Sequence, residues 1–140
     1  MIGGRVLDTS ALLRFASNTS IYIQSAVWVA LEEGLVLAVP ATSLTEAWAQ
    51  SHSGDHDVLD VLLGLPITMV DPLDAEEARL TGRLLAADRS EQVDEGEDAA
   101  ADVRTGHVVR TAQRRGWPVL TAVPEPLRRL DPELEVDELP

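Results

Sequence analysis

Three carboxylates fall where a divalent-cation site would need them. Asp8 ends the first apolar run, Arg5-Val6-Leu7, and Glu46 follows the second, Leu35-Val36-Leu37-Ala38-Val39. Asp102 opens a helical stretch that leads into a further apolar run, Trp117-Pro118-Val119-Leu120-Thr121. In an alternating strand–helix fold all three positions lie at the C-terminal edge of one parallel sheet, where such sheets carry their sites. Anionic oxygens gathered in one crevice repel unless a hard cation neutralises them. Mg²⁺ with one or two carboxylates, several waters and phosphate oxygens suits that environment and can drive phosphodiester chemistry.

The elements that must position these residues read as follows. Val6 to Asp8 is a short buried strand, and Asp8 or Thr9 caps the helix that starts at Thr9-Ser10-Ala11. Ile21 to Glu33 is a helix closed by Gly34, and Leu35 to Val39 is the second strand. Ser43 to Ala49 and Asp57 to Leu63 are short helices, Ile67 to Val70 a third strand stopped by Asp71-Pro72, and Asp74 to Ala87 a helix. Residues 88–98 are acidic and nearly without large apolar side chains, which predicts an exposed loop. Asp98 to Arg115 is then a helix ended by Gly116, and Val119 to Thr121 the fourth strand; the tail, 124–140, holds a helical turn and an edge strand. The expectation is one α/β domain over residues 1–140, with a mostly parallel sheet of four to five strands flanked by helices.

Each acid also has a plain structural reading. Asp8 can be only a helix N-cap. Glu46 with Ser43 forms the Ser-x-x-Glu pattern of a capping box, and Asp102 can simply complement a helix dipole. Their joint placement, rather than any one of them, carries the argument.

Composition narrows the classes. The chain has 140 residues, 45% hydrophobic, enough to fold around one core. It has no cysteine, which excludes disulfides and thiolate zinc sites. The opening residues lack the order of a signal peptide and no apolar run is long enough to span a bilayer, so a cytoplasmic location is expected. A net charge of -13 argues against a general nucleic-acid binder. All 11 cationic residues are Arg, and Arg104, Arg110, Arg114, Arg115, Arg128 and Arg129 fall in the last third. They read either as a local phosphate-binding strip or as a solvated helix face. Aromatics at 4% are too few for a base-stacking platform.

With these motifs together the chain resembles the PIN domains, and more narrowly the VapC-type toxins of bacterial toxin–antitoxin pairs. Val6-Leu7-Asp8-Thr9-Ser10-Ala11-Leu12 resembles the family's first acidic motif, and Val39-Pro40-Ala41-Thr42-Ser43-Leu44-Thr45-Glu46-Ala47 the second. Asp102 to Val109, followed by Gly116-Trp117-Pro118-Val119-Leu120-Thr121, resembles the third acidic helix and its strand. The resemblance implies a Rossmann-like sheet and Mg²⁺- or Mn²⁺-dependent cleavage of RNA. Asp8, Glu46 and Asp102 would be the catalytic metal-site carboxylates, with Ser10 and Thr121 as orienting hydroxyls. It also implies a homodimer and a small antitoxin partner. Val123 departs from the pattern, standing where the family presents a fourth acid or Asn. Asp98 and Glu125 are the candidate compensating acids. The alternative is a degenerate PIN-like protein, weak or inactive as a nuclease, that acts through protein binding.

Other constellations read as structural. Ser51 to Asp57 has two histidines and two aspartates around Gly54, but its spacing fits an inter-helix turn better than a zinc site. His107 lies off the Asp102 face and reads as a packing or solvent-facing residue rather than a general base. The acidic run 94–98 lacks the ligand order of an EF-hand. Receiver domains and haloacid-dehalogenase-like phosphatases resemble the first strand's ending, yet both rely on a Lys and this chain contains none.

Overall fold

The computed structural model describes residues 3–91 and 101–140. Alternation of side chains along short strands decides the layering. In β1 (Gly4–Leu7) Val6 and Leu7 point to opposite faces. Val6 joins a core with Ala38, Val108, Val109, Val119 and Leu127, whereas Leu7 joins one with Leu12, Ile23, Leu37, Leu59 and Leu120. A strand buried on both faces is what a parallel sheet demands.

β2 (Val36–Pro40) and β4 (Val119–Thr121) flank β1, with β3 (Thr68–Asp71) and β5 (Val136–Glu138) at the edges, in the order β3-β2-β1-β4-β5. Every pairing is parallel, with Val6 opposite Ala38 and Val119, and Thr121 opposite Glu138. The α/β expectation with a parallel sheet therefore holds, including the edge strand in the tail.

Helices α1 (Thr9–Ser17), α2 (Ile21–Glu33), α3 (Ala41–Gln50), α4 (Ser53–Leu63), α5 (Ala75–Glu91), α6 (Val103–Arg115) and α7 (Pro124–Leu130) cover the sheet. The apolar face of α6 packs on Val6, Ala38 and Val119, while α1, α2 and α4 bury Leu12, Ile23 and Leu59 on the opposite side. Gly34 and Gly116 end α2 and α6 at φ of 68° and 70°, a backbone region glycine enters without steric cost.

Several boundaries differ from the sequence expectation. α3 begins at Ala41, straight after β2, so Ser43 lies inside its first turn and the Ser43–Glu46 capping box does not form. α4 starts at Ser53 rather than Asp57, with His52 as its cap. α5 runs to Glu91, so residues 88–91 are helical rather than loop. Asp88 is buried there, accepting from the Ala101 N–H at 3.1 Å and from Arg129 Nε at 3.2 Å. The rest of the expected loop, Asp98 included, lies outside the described residues. Asp102 precedes α6 as its N-cap rather than sitting within it.

The six late arginines form neither a free phosphate strip nor an idle solvated face, because each has a carboxylate partner. Arg110 pairs with Glu77, Arg114 and Arg115 with Asp71, Arg128 with Glu125, Arg129 with Asp88, and Arg104 with Glu46 and Asp102. Asp71, at the end of β3, is the most enclosed of these acids described with two cations. Arg115 grips it in bidentate fashion, Nε to Oδ2 at 2.7 Å and Nη2 to Oδ1 at 2.6 Å. Burial pushes the Asp71 carboxyl up, but Arg115 and then Arg114 outweigh it and hold the group below its ordinary 3.8. A folded value below the unfolded one means that the pair's contribution is complete above the usual carboxylate range and fades as pH falls through the folded value. Asp71→Asn is therefore expected to cost roughly 2 kcal/mol at pH 7, between the worth of an exposed pair and that of a buried one. In urea unfolding across pH, its gap from the parent should shrink below about pH 4. An equal gap at pH 7 and pH 3 would contradict this assignment.

Candidate active site

Because all five strands run parallel, β1, β2 and β4 finish on the same side, and the chain leaves that edge into α1, α3 and α7. The N-terminus of α6 lies there too, since α6 runs antiparallel to the β4 that follows it. Asp8, Thr9, Ser10, Ser43, Asp102 and Arg104 line one cleft of about 250 Å³, closed on its far side by Val123, Pro126 and Leu127.

Asp8 is held by its own helix and by β4. Its Oδ1 accepts from Ser10 Oγ–H at 2.6 Å and from the Ala11 N–H at 2.9 Å. Ser10 Oγ in turn accepts the Ala122 N–H at 2.9 Å and lies 3.4 Å from Thr121 Oγ1, which accepts the Val123 N–H at 2.9 Å. Ser10 and Thr121 thus form a hydroxyl chain that tethers the end of β4 to Asp8. Burial dominates the Asp8 carboxyl and raises it above its ordinary range, in spite of the bonds from Ser10, Thr121 and Ala11. A carboxylate that is costly to ionise in the bare protein is one that a nearby cation would stabilise.

Asp102 lines the same cleft. As N-cap of α6 its Oδ1 accepts the Thr105 N–H at 3.0 Å and Thr105 Oγ1–H at 3.1 Å. Its Oδ2 accepts from Arg104 Nη2 at 2.6 Å and Nε at 3.0 Å. Burial raises the group, but the Thr105 N–H and then Arg104 overcome that and hold Asp102 below its ordinary value. Glu46, one turn into α3, reaches the same guanidinium, 3.3 Å from Arg104 Nη1, and its Oε1 accepts from Gln50 Nε2 at 2.8 Å. Among the described residues no three acidic or histidine side chains stand close enough to hold one ion as they are. Asp8 and Asp102 share the cleft, while Glu46 is joined to Asp102 through Arg104. That donor set, two cleft carboxylates with hydroxyls beside them, fits a hydrated Mg²⁺ or Mn²⁺, which needs only one or two protein carboxylates.

The structure separates the remaining candidates. Val123, 54% exposed, stands at the cleft with an apolar side chain. Glu125 points away in the first turn of α7, its side chain 83% exposed and 3.7 Å from Arg128. His107 is buried in α6 and bonds Thr42 Oγ1 through Nδ1 at 2.8 Å; burial lowers its pKa, as its packing role requires. His56 stacks on Trp48 at 4.2 Å and bonds the Trp48 carbonyl, so the 51–57 turn is structural.

Two cleft residues were not singled out as site residues from the sequence. Arg104 appeared only as one arginine among six. Ser43 looked like a cap, yet its hydroxyl is fully buried with no hydrogen-bond partner among the described residues, and the side chain borders the cleft. Its position three residues before Glu46 is the sequence signal that could have marked it.

No family model matches the chain, and no curated protein matches it. Solved structures do match. A chain of VapBC2 from Rickettsia felis, bound to a DNA fragment from its promoter, superposes with a TM-score of 0.71 at 14% identity, covering 100% of both chains. DNA-bound VapBC from Salmonella typhimurium gives 0.68 at 18% identity, over 99% of this chain and 98% of that one. VapC20 of Mycobacterium tuberculosis, described as a sarcin–ricin loop cleaving toxin, gives 0.55 at 12% identity, over 83% and 87%. Identities this low carry architecture and not activity. The architecture is a five-stranded, all-parallel α/β sheet of the PIN-domain class. More narrowly, the fold is VapC-like.

The hydroxyl chain makes a definite demand. Ser10→Ala removes the 2.6 Å donor to Asp8 while burial remains, so the Asp8 carboxyl is expected to titrate at higher pH than in the parent. Carboxyl-carbon NMR titration reads this directly. An unmoved or lowered Asp8 midpoint would contradict the tether.

Proposed function

We propose that this chain is a metal-dependent endoribonuclease of the PIN, VapC-like type, with Asp8, Glu46 and Asp102 around Mg²⁺ or Mn²⁺. The observation that carries the reading is that Asp8 and Asp102, far apart in the sequence, border one small cleft at the sheet's C-terminal edge. When bound, the ion supplies Lewis acidity toward a phosphate oxygen and an attacking water. The chain's own residues do the rest. Ser10 and Thr121 fix the direction of Asp8, and Thr105 fixes that of Asp102. The Ser43 hydroxyl offers an unused partner beside them. Burial raises the Asp8 carboxyl above its ordinary range, so a bound cation would favour its ionised form.

The substrate class is RNA, supported by the likeness to VapC20, whose description is loop cleavage by a toxin. A small antitoxin is the proposed partner, supported by the VapBC likeness and by the exposed apolar side chains Ile21, Tyr22, Trp28 and Val29 on α2. We further propose a homodimer working in the cytoplasm; no described helix is long and apolar enough to cross a membrane.

A second reading, a weak or inactive nuclease acting through protein partners, is favoured by Val123 alone, an apolar group at the cleft. RNA cleavage with Mn²⁺ separates the two. The first reading expects parental cleavage, reduced at least about a hundredfold in the Asp8→Asn, Asp102→Asn double variant. Undiminished cleavage by the double variant would contradict it. Activity that appears only in Val123→Asp would establish the second.

A further inference from the structure

Among the described residues no three acids form a cluster, and Arg104 pairs with two of the three candidates, Glu46 and Asp102. Its guanidinium lies between α3 and the start of α6, giving Nε and Nη2 to Asp102 Oδ2 and approaching Glu46 with Nη1 at 3.3 Å. It does not bond Asp8, which is left to the hydroxyl chain. One permanent charge thus pairs with two of the three acids.

Three features suit Arg104 to give way. The Arg104, Asp102 and Glu46 side chains are 40%, 48% and 37% exposed, so the pairs are solvent-screened and individually weak. Among the described residues only Arg104 touches both acids; Gln50 on Glu46 and Thr105 on Asp102 would stay in place when it leaves. The guanidinium also borders the cleft, so moving it opens space where Asp8 and Asp102 already face.

We propose that Arg104 is a built-in competitor for the divalent cation: it occupies Glu46 and Asp102 in the resting protein and must release them for the metal to bind. This rests on the metal-site reading above. It makes Arg104 a positioning residue that sets the loading threshold of the site. It also keeps the acids from repelling one another when no metal is present.

Mn²⁺ titration by calorimetry, together with thermal unfolding with and without Mn²⁺, tests the idea on the full chain. Arg104→Met and, as a second removal of the charge, Arg104→Gln are each expected to bind Mn²⁺ about tenfold more tightly than the parent. Arg104→Lys, which keeps charge but loses the fork, should fall between. Without metal, Arg104→Met should unfold at a lower temperature than the parent, and Mn²⁺ should raise its midpoint by more. If the parent binds Mn²⁺, Asp8→Asn does not, and Arg104→Met binds no more tightly, the metal site stands and the competitor role of Arg104 is overturned. If none of these proteins binds Mn²⁺ at all, the metal-site reading fails and the proposal falls with it.

Discussion

Parallel strands end on the same side of a sheet, and that constraint creates the site. β1 delivers Asp8, β2 delivers the start of α3, and β4 delivers Thr121, all on one edge. A helix returning to β4 must begin on that edge, which places Asp102 there. The cost of the arrangement is charge repulsion, met in three ways. Asp8 is held by hydroxyls and its carboxyl raised by burial, Asp102 accepts the Thr105 N–H as the cap of α6, and Glu46 and Asp102 share Arg104.

The same economy runs through the rest of the molecule. At a net charge of -13 the chain repels polyanions at long range, and its late arginines are engaged by carboxylates that join elements far apart in sequence. Asp71 clamps the end of β3 to α6, and Asp88 draws Arg129 of α7 toward the entry to α6. These pairs stiffen the frame around the cleft.

Apolar runs and helix ends were legible in the sequence because both are local. Val6-Leu7, Val36 to Val39 and Val119-Leu120 are apolar enough to be buried strands, and Gly34 and Gly116 stop helices by backbone freedom alone. Local patterns also misled. Ser43 and Glu46 have capping-box spacing, but α3 begins two residues earlier, directly from Pro40, so the spacing has no cap to serve. Residues 88–91 are polar enough to read as loop, yet Asp88 is buried because its partner Arg129 lies 41 positions away. Arg104 could not be distinguished from its neighbours for the same reason, since its significance depends on Glu46, which only the folded sheet brings near. The gathering of Asp8 and Asp102 at one cleft was legible, whereas the guanidinium joining Asp102 to Glu46 was not.

The central claim is that one ion is shared at this edge and not spread over an acidic surface. Equimolar Mn²⁺ added to ¹⁵N-labelled protein tests it most directly, because the paramagnetic ion broadens amide signals close to it. The account predicts that the signals of Asp8, Ser10, Asp102 and Thr105 are lost first, while those of Gly34 and Gly116, which precede β2 and β4 at the opposite edge of the sheet, survive. Broadening scattered over the surface carboxylates, or none near Asp8 and Asp102, would contradict it.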